Sequence, residues 1–282
     1  MKYFDLHTHS TYSDGVHSPK ELLDLAKELG LAGISITDHD SIFGLPEGIK
    51  YAKKIGMELI PGVEIQGYGV EILGYFIDIA SPELNALLEV NQKNKLEHLK
   101  RKIEGLADLN VDVDFHEVDD YAKKMHCHQT MLPHLAAVLI ERGYGTSVHD
   151  IYNKYLKKIK VRLDTEPLKA KKVIETIKIA GGVSVLPHPW LLRADQKESI
   201  ENFIVKLSKY GLVGVETKGS IPEDLREESH ELIDRIRVVC KDLDLVETAG
   251  SDFHGTSVHK DCILGKAKSS EEIVRELERK RE

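Results

Sequence analysis

Only three of the 282 residues are cysteine. Cys127, Cys240 and Cys262 lie far apart and form no CxxC pair, which excludes a disulfide framework and suits a reducing cytosol. Also missing is any apolar run near the roughly 18 residues of a membrane-spanning helix. Lys2 precedes only a short apolar stretch, so no signal peptide is expected and a cytoplasmic location is. There is no basic excess: 39 Lys and Arg face 47 Asp and Glu, a formal net charge of -8. That balance argues against broad binding to duplex nucleic acid or an anionic membrane, though a local basic pocket for a phosphate remains compatible with it. Internal repeats, Gly/Ser linkers and low-complexity tracts are absent as well. What is present is 41% hydrophobic and 30% charged content, enough for one barrel-sized domain with an insertion or for two smaller domains. The abundance of Lys and Glu is a weak cue to a heat-tolerant source.

Short β-rich runs recur along the chain: KYFDL, AGISIT, MELIPGV, VEILGYF, GGVSVLP, LVGVET and LVETAG. Helical patterns separate several of them. In SPKELLDLAKELG, Ser18 is the expected N-cap, Pro19 opens the helix, Glu21 completes a capping box and Gly30 ends it. LPEGIKYAKKIG and LKAKKVIETIKIAGG read the same way. Buried strands alternating with amphipathic helices predict an α/β fold with a parallel core, and seven strands suggest a barrel one short of the usual eight. Residues 81–165 break this rhythm and read as a mostly helical insertion covering the site, leaving 1–80 and 166–282 for the barrel. SSEEIVRELERKRE is read as a closing amphipathic helix.

Polar residues fall at the ends of these runs. His7 and His9 close the first, Asp38 and His39 the second, Glu64 the third and His188 the fifth, while Asp252 and His254 follow the seventh. The carboxyl ends of barrel strands are where barrel enzymes place their sites. Side chains two apart on a strand share a face, so His7 and His9 can address one ion, as can Asp252 and His254. A single histidine is more often a surface or hydrogen-bonded core residue. Five strand ends carrying His, Asp or Glu are different, because gathering so many titratable groups without a cation is heavily unfavourable. Imidazole with carboxylate suits Zn, Mn or Fe.

The stretch VEIQGYGVEIL leaves no room for a helix and predicts a tight hairpin. With Gly67 and Tyr68 as its loop, Glu64 would face Glu71, and two opposed carboxylates call for a metal between them. A looser loop would leave Glu71 in solvent.

FDLHTHSTYSDG, TDHD, PGVE, LPHP and GSDFH, in this order, resemble the PHP (polymerase and histidinol phosphatase) superfamily. They are most similar to its stand-alone nucleotide phosphoesterases, which include 3′,5′-nucleoside bisphosphate phosphatases and RNA-trimming 5′ exonucleases. The resemblance implies a distorted (β/α)7 barrel holding two to three divalent transition ions. It assigns ligand roles to His7, His9, Asp14, His39, Glu64, His188, Asp252 and His254, with Glu64 bridging two ions. Asp38, facing away from His39, would orient a ligand. Two departures stand out. Glu71 occupies the place of a usual histidine before LGY, and would serve as a ligand in its stead. In the insertion, LPHLA puts Leu132 where an arginine usually precedes Pro-His, with His134 retained. Phosphate contacts would then come from His134, Lys157, Lys158, Arg193 or Lys218, although each of those cations also reads as an ordinary solvated charge.

The expected activity is hydrolysis of nucleotide phosphomonoesters, either bisphosphates or short 5′-phosphorylated RNA, by water activated between metal ions. Asp252, His254 and His188 are the expected catalytic residues, one of the histidines protonating the leaving oxygen. Histidinol phosphate is a rival substrate. An amidohydrolase would want a metal-bridging lysine where Glu64 stands, and a non-catalytic, metal-stabilised binding module would have lost ligands that this chain retains.

Overall fold

Strand β1 (Tyr3–Thr8) buries all but its first residue, because Phe4 and Leu6 point to one side and Asp5 and His7 to the other. It lies beside β2 (Gly33–Ile36), and β2 beside β3 (Glu58–Gly67), all parallel. The computed structural model describes residues 1–67, 69–163, 168–192, 199–255 and 261–281. Between these strands run α1 (Pro19–Glu28) and α2 (Leu45–Ile55). The former carries the predicted capping box, with Ser18 and Glu21 each satisfying the other's backbone N–H. The latter stops at Gly56, whose φ of 71° an L side chain adopts only with strain.

The sheet turns back on itself at β4 (Val70–Tyr75), which is antiparallel to β3 and to β5 (Val183–Leu186). Parallel pairing resumes through β6 (Leu212–Lys218) and β7 (Val246–Ala249). One strand was not foreseen. Ser269–Ser270 forms a two-residue β8 antiparallel to β1, too short to carry any alternation signal. The sheet order is β7-β6-β5-β4-β3-β2-β1-β8. Its ends nearly close into a barrel: His9 donates its N–H to the Phe253 carbonyl at 2.8 Å, and the Ser269 hydroxyl accepts from Ala249 N–H at 2.8 Å. The expected α/β barrel is therefore what forms, with an antiparallel hairpin set into an otherwise parallel sheet.

The hairpin register differs from expectation by two residues. Gly67 pairs with Val70, so Gln66 faces Glu71 and Glu64 faces Leu73. Gly69, at φ 73°, takes up the reversal, while Tyr68 lies outside the described residues. A shift of two preserves the faces of a strand. Glu71 consequently stays on the same side as Glu64, one step away along the strand.

The segment between β4 and β5 holds α3 (Pro82–Leu106), α4 (Phe115–Lys124), α5 (Leu132–Glu141) and α6 (Val148–Ile151). It has an apolar cluster of its own, including Leu99, Ile103, Val118, Leu135, Leu139 and Ile151. Helix α3 serves two cores. Leu84, Leu87 and Leu88 pack into the barrel's cluster, whereas Leu99, Ile103 and Leu106 pack into the second. Helices α7 (Ala170–Ile179), α8 (Ile200–Ser208), α9 (Arg226–Asp242) and α10 (Glu271–Arg279) complete the outer layer.

Candidate metal centre

The strand ends bring the predicted residues to one place. Glu64 stands at the centre: its Oε2 lies 3.4 Å from His7 Nε2, 3.5 Å from His9 Nε2 and 3.0 Å from His39 Nδ1, and its Oε1 lies 2.9 Å from His188 Nε2. Asp252 Oδ1 reaches His7 Nε2 at 3.3 Å and His9 Nε2 at 3.2 Å. Asp14 lies 3.4 Å from His254 Nε2 and 3.9 Å from both His9 Nδ1 and His39 Nε2. Glu71 closes the rim at 3.8 Å from His39 and 3.7 Å from His188. Among the described residues four overlapping groups of donor atoms result: His9, Asp14, His39 and His254; His7, His9 and Asp252; His7, Glu64 and His188; His39, Glu64 and Glu71.

Metal ions fit this cluster for a physical reason. Both ring nitrogens of His7 and His9, both oxygens of Asp14, His39 Nδ1 and Glu64 Oε2 are buried without a hydrogen-bond partner. Buried polar atoms are nearly always satisfied, and the penalty for failing is severe for charged groups. Opposite charges alone would hold protons here. Burial works against a charged His188 and His254, yet Glu64 beside the first and Asp14 beside the second hold each imidazole up at about 9. Burial also opposes a charged Glu64 and Asp14, but surrounding imidazoles hold both carboxyls well below the usual range. Burial, with Glu64 next to it, raises Glu71. A set of acids that draws protons onto nearby imidazoles will give those protons up to divalent cations.

Local structure sets the geometry of each side chain. His7 and His9 share a face by strand alternation, as expected. Asp252 and His254 do not extend a strand; they sit in the loop after β7, where Asp252 has a left-handed backbone at φ 55°. His188 also sits at positive φ, 29°, two residues after the end of β5. Non-glycine residues take such conformations rarely and cluster where function requires them. His254 donates Nδ1–H to the Asp252 carbonyl at 2.8 Å, since the carbonyl can only accept, so Nε2 is the nitrogen that faces Asp14. Asp38 is taken up by the loop that follows β1. It accepts from Ser10 N–H at 2.7 Å, Ser10 Oγ at 2.6 Å and Ser13 Oγ at 2.7 Å, which shapes the loop that delivers Asp14.

Two residues escaped the sequence reading. Glu216, buried at the end of β6, accepts His188 N–H at 2.9 Å through Oε2 and places Oε1 3.5 Å from His7 Nδ1. Its signal was legible, for the GVE of LVGVET repeats the GVE of PGVE that supplies Glu64. Lys95 of α3 reaches the rim and pairs with Asp40 Oδ2 at 2.6 Å. In a lysine-rich helix nothing in the sequence set it apart.

A cavity of about 760 Å³ opens from His39 and Glu71 toward the helical segment. Met131, Leu132, Pro133, Val161, Leu163 and Leu168 give it an apolar side; Gln66, Asn94, Lys95, His98 and Arg162 give it a polar one. His134 is buried at the start of α5 and accepts Met131 N–H on Nδ1 at 2.9 Å, so the neutral ring carries its proton on Nε2, which has no partner. Lys157, Lys158 and Lys218 are exposed and stand apart from the residues lining this cavity. Arg193 lies outside the described residues.

Comparison with known proteins gives the family. The PHP domain profile matches residues 5–235. A 5′-3′ exoribonuclease of Haemophilus influenzae is 32% identical over 258 residues, spanning 90% of each chain. A 3′,5′-nucleoside bisphosphate phosphatase of Chromobacterium violaceum is 29% identical over 264 residues, covering 90% of this chain and 88% of its own. The crystal structure of a proposed metal-dependent phosphoesterase from Bifidobacterium adolescentis superposes with a TM-score of 0.84 at 26% identity, over 98% of this chain and 96% of that one. The chain belongs to the PHP-domain family. No helix among its described residues is long and apolar enough to cross a membrane.

Proposed function

We propose that this chain is a metal-dependent phosphoesterase acting on phosphomonoesters of nucleotides, either nucleoside 3′,5′-bisphosphates or short 5′-phosphorylated oligonucleotides. The observation that carries the reading is the ring of buried imidazoles and carboxylates around Glu64, in which both nitrogens of His7 and His9, both oxygens of Asp14, His39 Nδ1 and Glu64 Oε2 lack a hydrogen-bond partner. His7, His9, Asp14, His39, Glu64, Glu71, His188, Asp252 and His254 would hold two to three ions of Mn, Fe or Zn. When bound, such ions lower the pKa of attacking water and offset the charge that builds on the phosphate. Glu64 touches four imidazoles and is the natural bridge between ions. Proton delivery to the leaving oxygen would fall to whichever of His188 and His254 is not engaged by an ion; His254 has only Nε2 for either role, because Nδ1–H is already donated. His134 presents a buried Nε2–H donor suited to a phosphate oxygen. The insertion of residues 81–165 would choose the substrate, since its residues line most of the cavity.

Glu64 occupies the position where an amidohydrolase would want a bridging lysine, which favours phosphate esters over cyclic amides. The test is a substrate panel on manganese-reconstituted protein: adenosine 3′,5′-bisphosphate, short 5′-phosphorylated RNA, histidinol phosphate and cyclic amides. Phosphate release from the nucleotides, abolished in Asp252→Asn, is the expected result. Full turnover by that variant would refute the site, and hydrolysis of amides alone would refute the class.

A further inference from the structure

Leu132 leaves the cavity without the arginine that would grip a phosphate from α5, and the surface lysines stand elsewhere. Lys95 and Arg162 both line the cavity, and Lys95, which reaches there from α3, is the one paired with the residue that follows His39. Its surroundings are built with care. Asp40, fully buried next to His39, accepts Gln66 N–H at 3.2 Å and Asn91 Nδ2 at 2.6 Å, and its Oδ2 lies 2.6 Å from Lys95 Nζ. The Asp40 carbonyl accepts Gln92 Nε2 at 2.6 Å. Polar contacts from Asn91, Gln92 and Lys95 thus fasten one face of α3 to the residue that follows His39. Burial disfavours the charged ammonium, but Asp40 and Glu71 more than offset this and hold Lys95 above its ordinary pKa.

An ammonium group has three N–H donors, and Asp40 engages it from one side. The side chain keeps 23% of its surface exposed and lines the cavity that His39 and Glu71 share with the metal cluster. We infer that Lys95 is a specificity-determining residue that binds a second anionic group of the substrate, the phosphate that is not cleaved, while the scissile phosphate sits among the metal ligands. The apolar wall of Met131, Leu132 and Pro133 then covers the nucleoside between the two. This inference rests on the phosphoesterase reading and adds to it the residue that distinguishes bis-anionic from mono-anionic substrates. Asp40 acts through Lys95 as a positioning residue, fixing the ammonium so that little side-chain entropy is lost on binding.

The experiment compares manganese-loaded wild type with Lys95→Met and Lys95→Arg on adenosine 3′,5′-bisphosphate and p-nitrophenyl phosphate. The expected result is that Lys95→Met lowers the ratio of kcat/KM for the bisphosphate over that for p-nitrophenyl phosphate by about tenfold or more, the loss of one charge-assisted hydrogen bond. The fall appears mainly in KM, and Lys95→Arg recovers most of it. A ratio within twofold of wild type overturns the inference, as does a parallel fall on both substrates, which would make Lys95 a structural partner of Asp40 alone. If wild type hydrolyses neither compound, the phosphoesterase reading fails by itself. The inference is then decided by equilibrium binding of adenosine 3′,5′-bisphosphate against adenosine 5′-monophosphate, where a preference lost in Lys95→Met supports it and equal affinities overturn it. Should Lys95→Met not fold, reductive methylation of wild type read at Lys95 by mass spectrometry carries the same decision. Protection by the bisphosphate but not by p-nitrophenyl phosphate supports the inference, and equal labelling overturns it.

Discussion

Replacing Glu216 with Gln removes one oxygen and no volume, yet it should weaken metal binding severely. Glu216 touches two proposed ligands at once: the backbone of His188 at 2.9 Å and His7 Nδ1 at 3.5 Å. As a carboxylate it can only accept, so it draws the His7 proton to Nδ1 and leaves Nε2 free toward Glu64 and Asp252, 3.4 and 3.3 Å away. A glutamine keeps the bond from His188 N–H by turning its carbonyl there. Its amide NH2 then faces His7 Nδ1 as a donor, which favours the tautomer protonated on Nε2. That nitrogen cannot bind an ion until the ring flips its proton at a cost. Loss of such a partner typically weakens metal affinity by about 10- to 100-fold, or roughly 1.4–2.7 kcal/mol. Manganese or zinc titration by calorimetry, against a competing chelator, measures it directly without reference to turnover. Affinity in Glu216→Gln within twofold of wild type would show that His7 is not oriented from β6, and the tautomer reasoning would fall.

Two further outcomes follow from the same packing. A methyl group at Gly250 would lie 2.3 Å from His7 Cβ and 2.8 Å from Glu216 Oε1, so Gly250→Ala should destabilise the fold by about 3 kcal/mol and cost metal affinity together, read by denaturant melts and metal titration. Unchanged stability would mean that the seam between β7 and β1 is looser than drawn. In ion-free protein, His188 and His254 stand at about 9 against an ordinary 6.5, so the stability they contribute is present below pH 6.5 and fades as pH rises through about 9. Bound cations replace those protons, so metal affinity should rise with pH over the same window and thermal melts of metal-loaded protein should lose the decline. Identical melting profiles with and without metal would contradict this.

The sequence by itself determined the strands, the alternating helices and most of the polar strand ends, because each is a local pattern. Period-two alternation placed His7 and His9 together, and Ser18, Pro19 and Glu21 announced α1. The two-residue strand at Ser269 gave no such pattern, since its pairing with β1 depends on the chain having already closed the barrel. The hairpin register followed from a left-handed Gly69, not from the Gly67 and Tyr68 loop that spacing suggested. Glu71 remained beside Glu64 only because a slip of two residues conserves the face. Tertiary structure alone decided which histidine nitrogen faces the centre, that Asp38 shapes a loop while Asp14 is delivered by it, and that Glu216 stands behind His7. It also chose Lys95 from a helix full of equivalent lysines. Hydrogen-bond direction, burial and charge compensation are properties of groups distant in the chain meeting in space, and no local periodicity encodes which of them will meet.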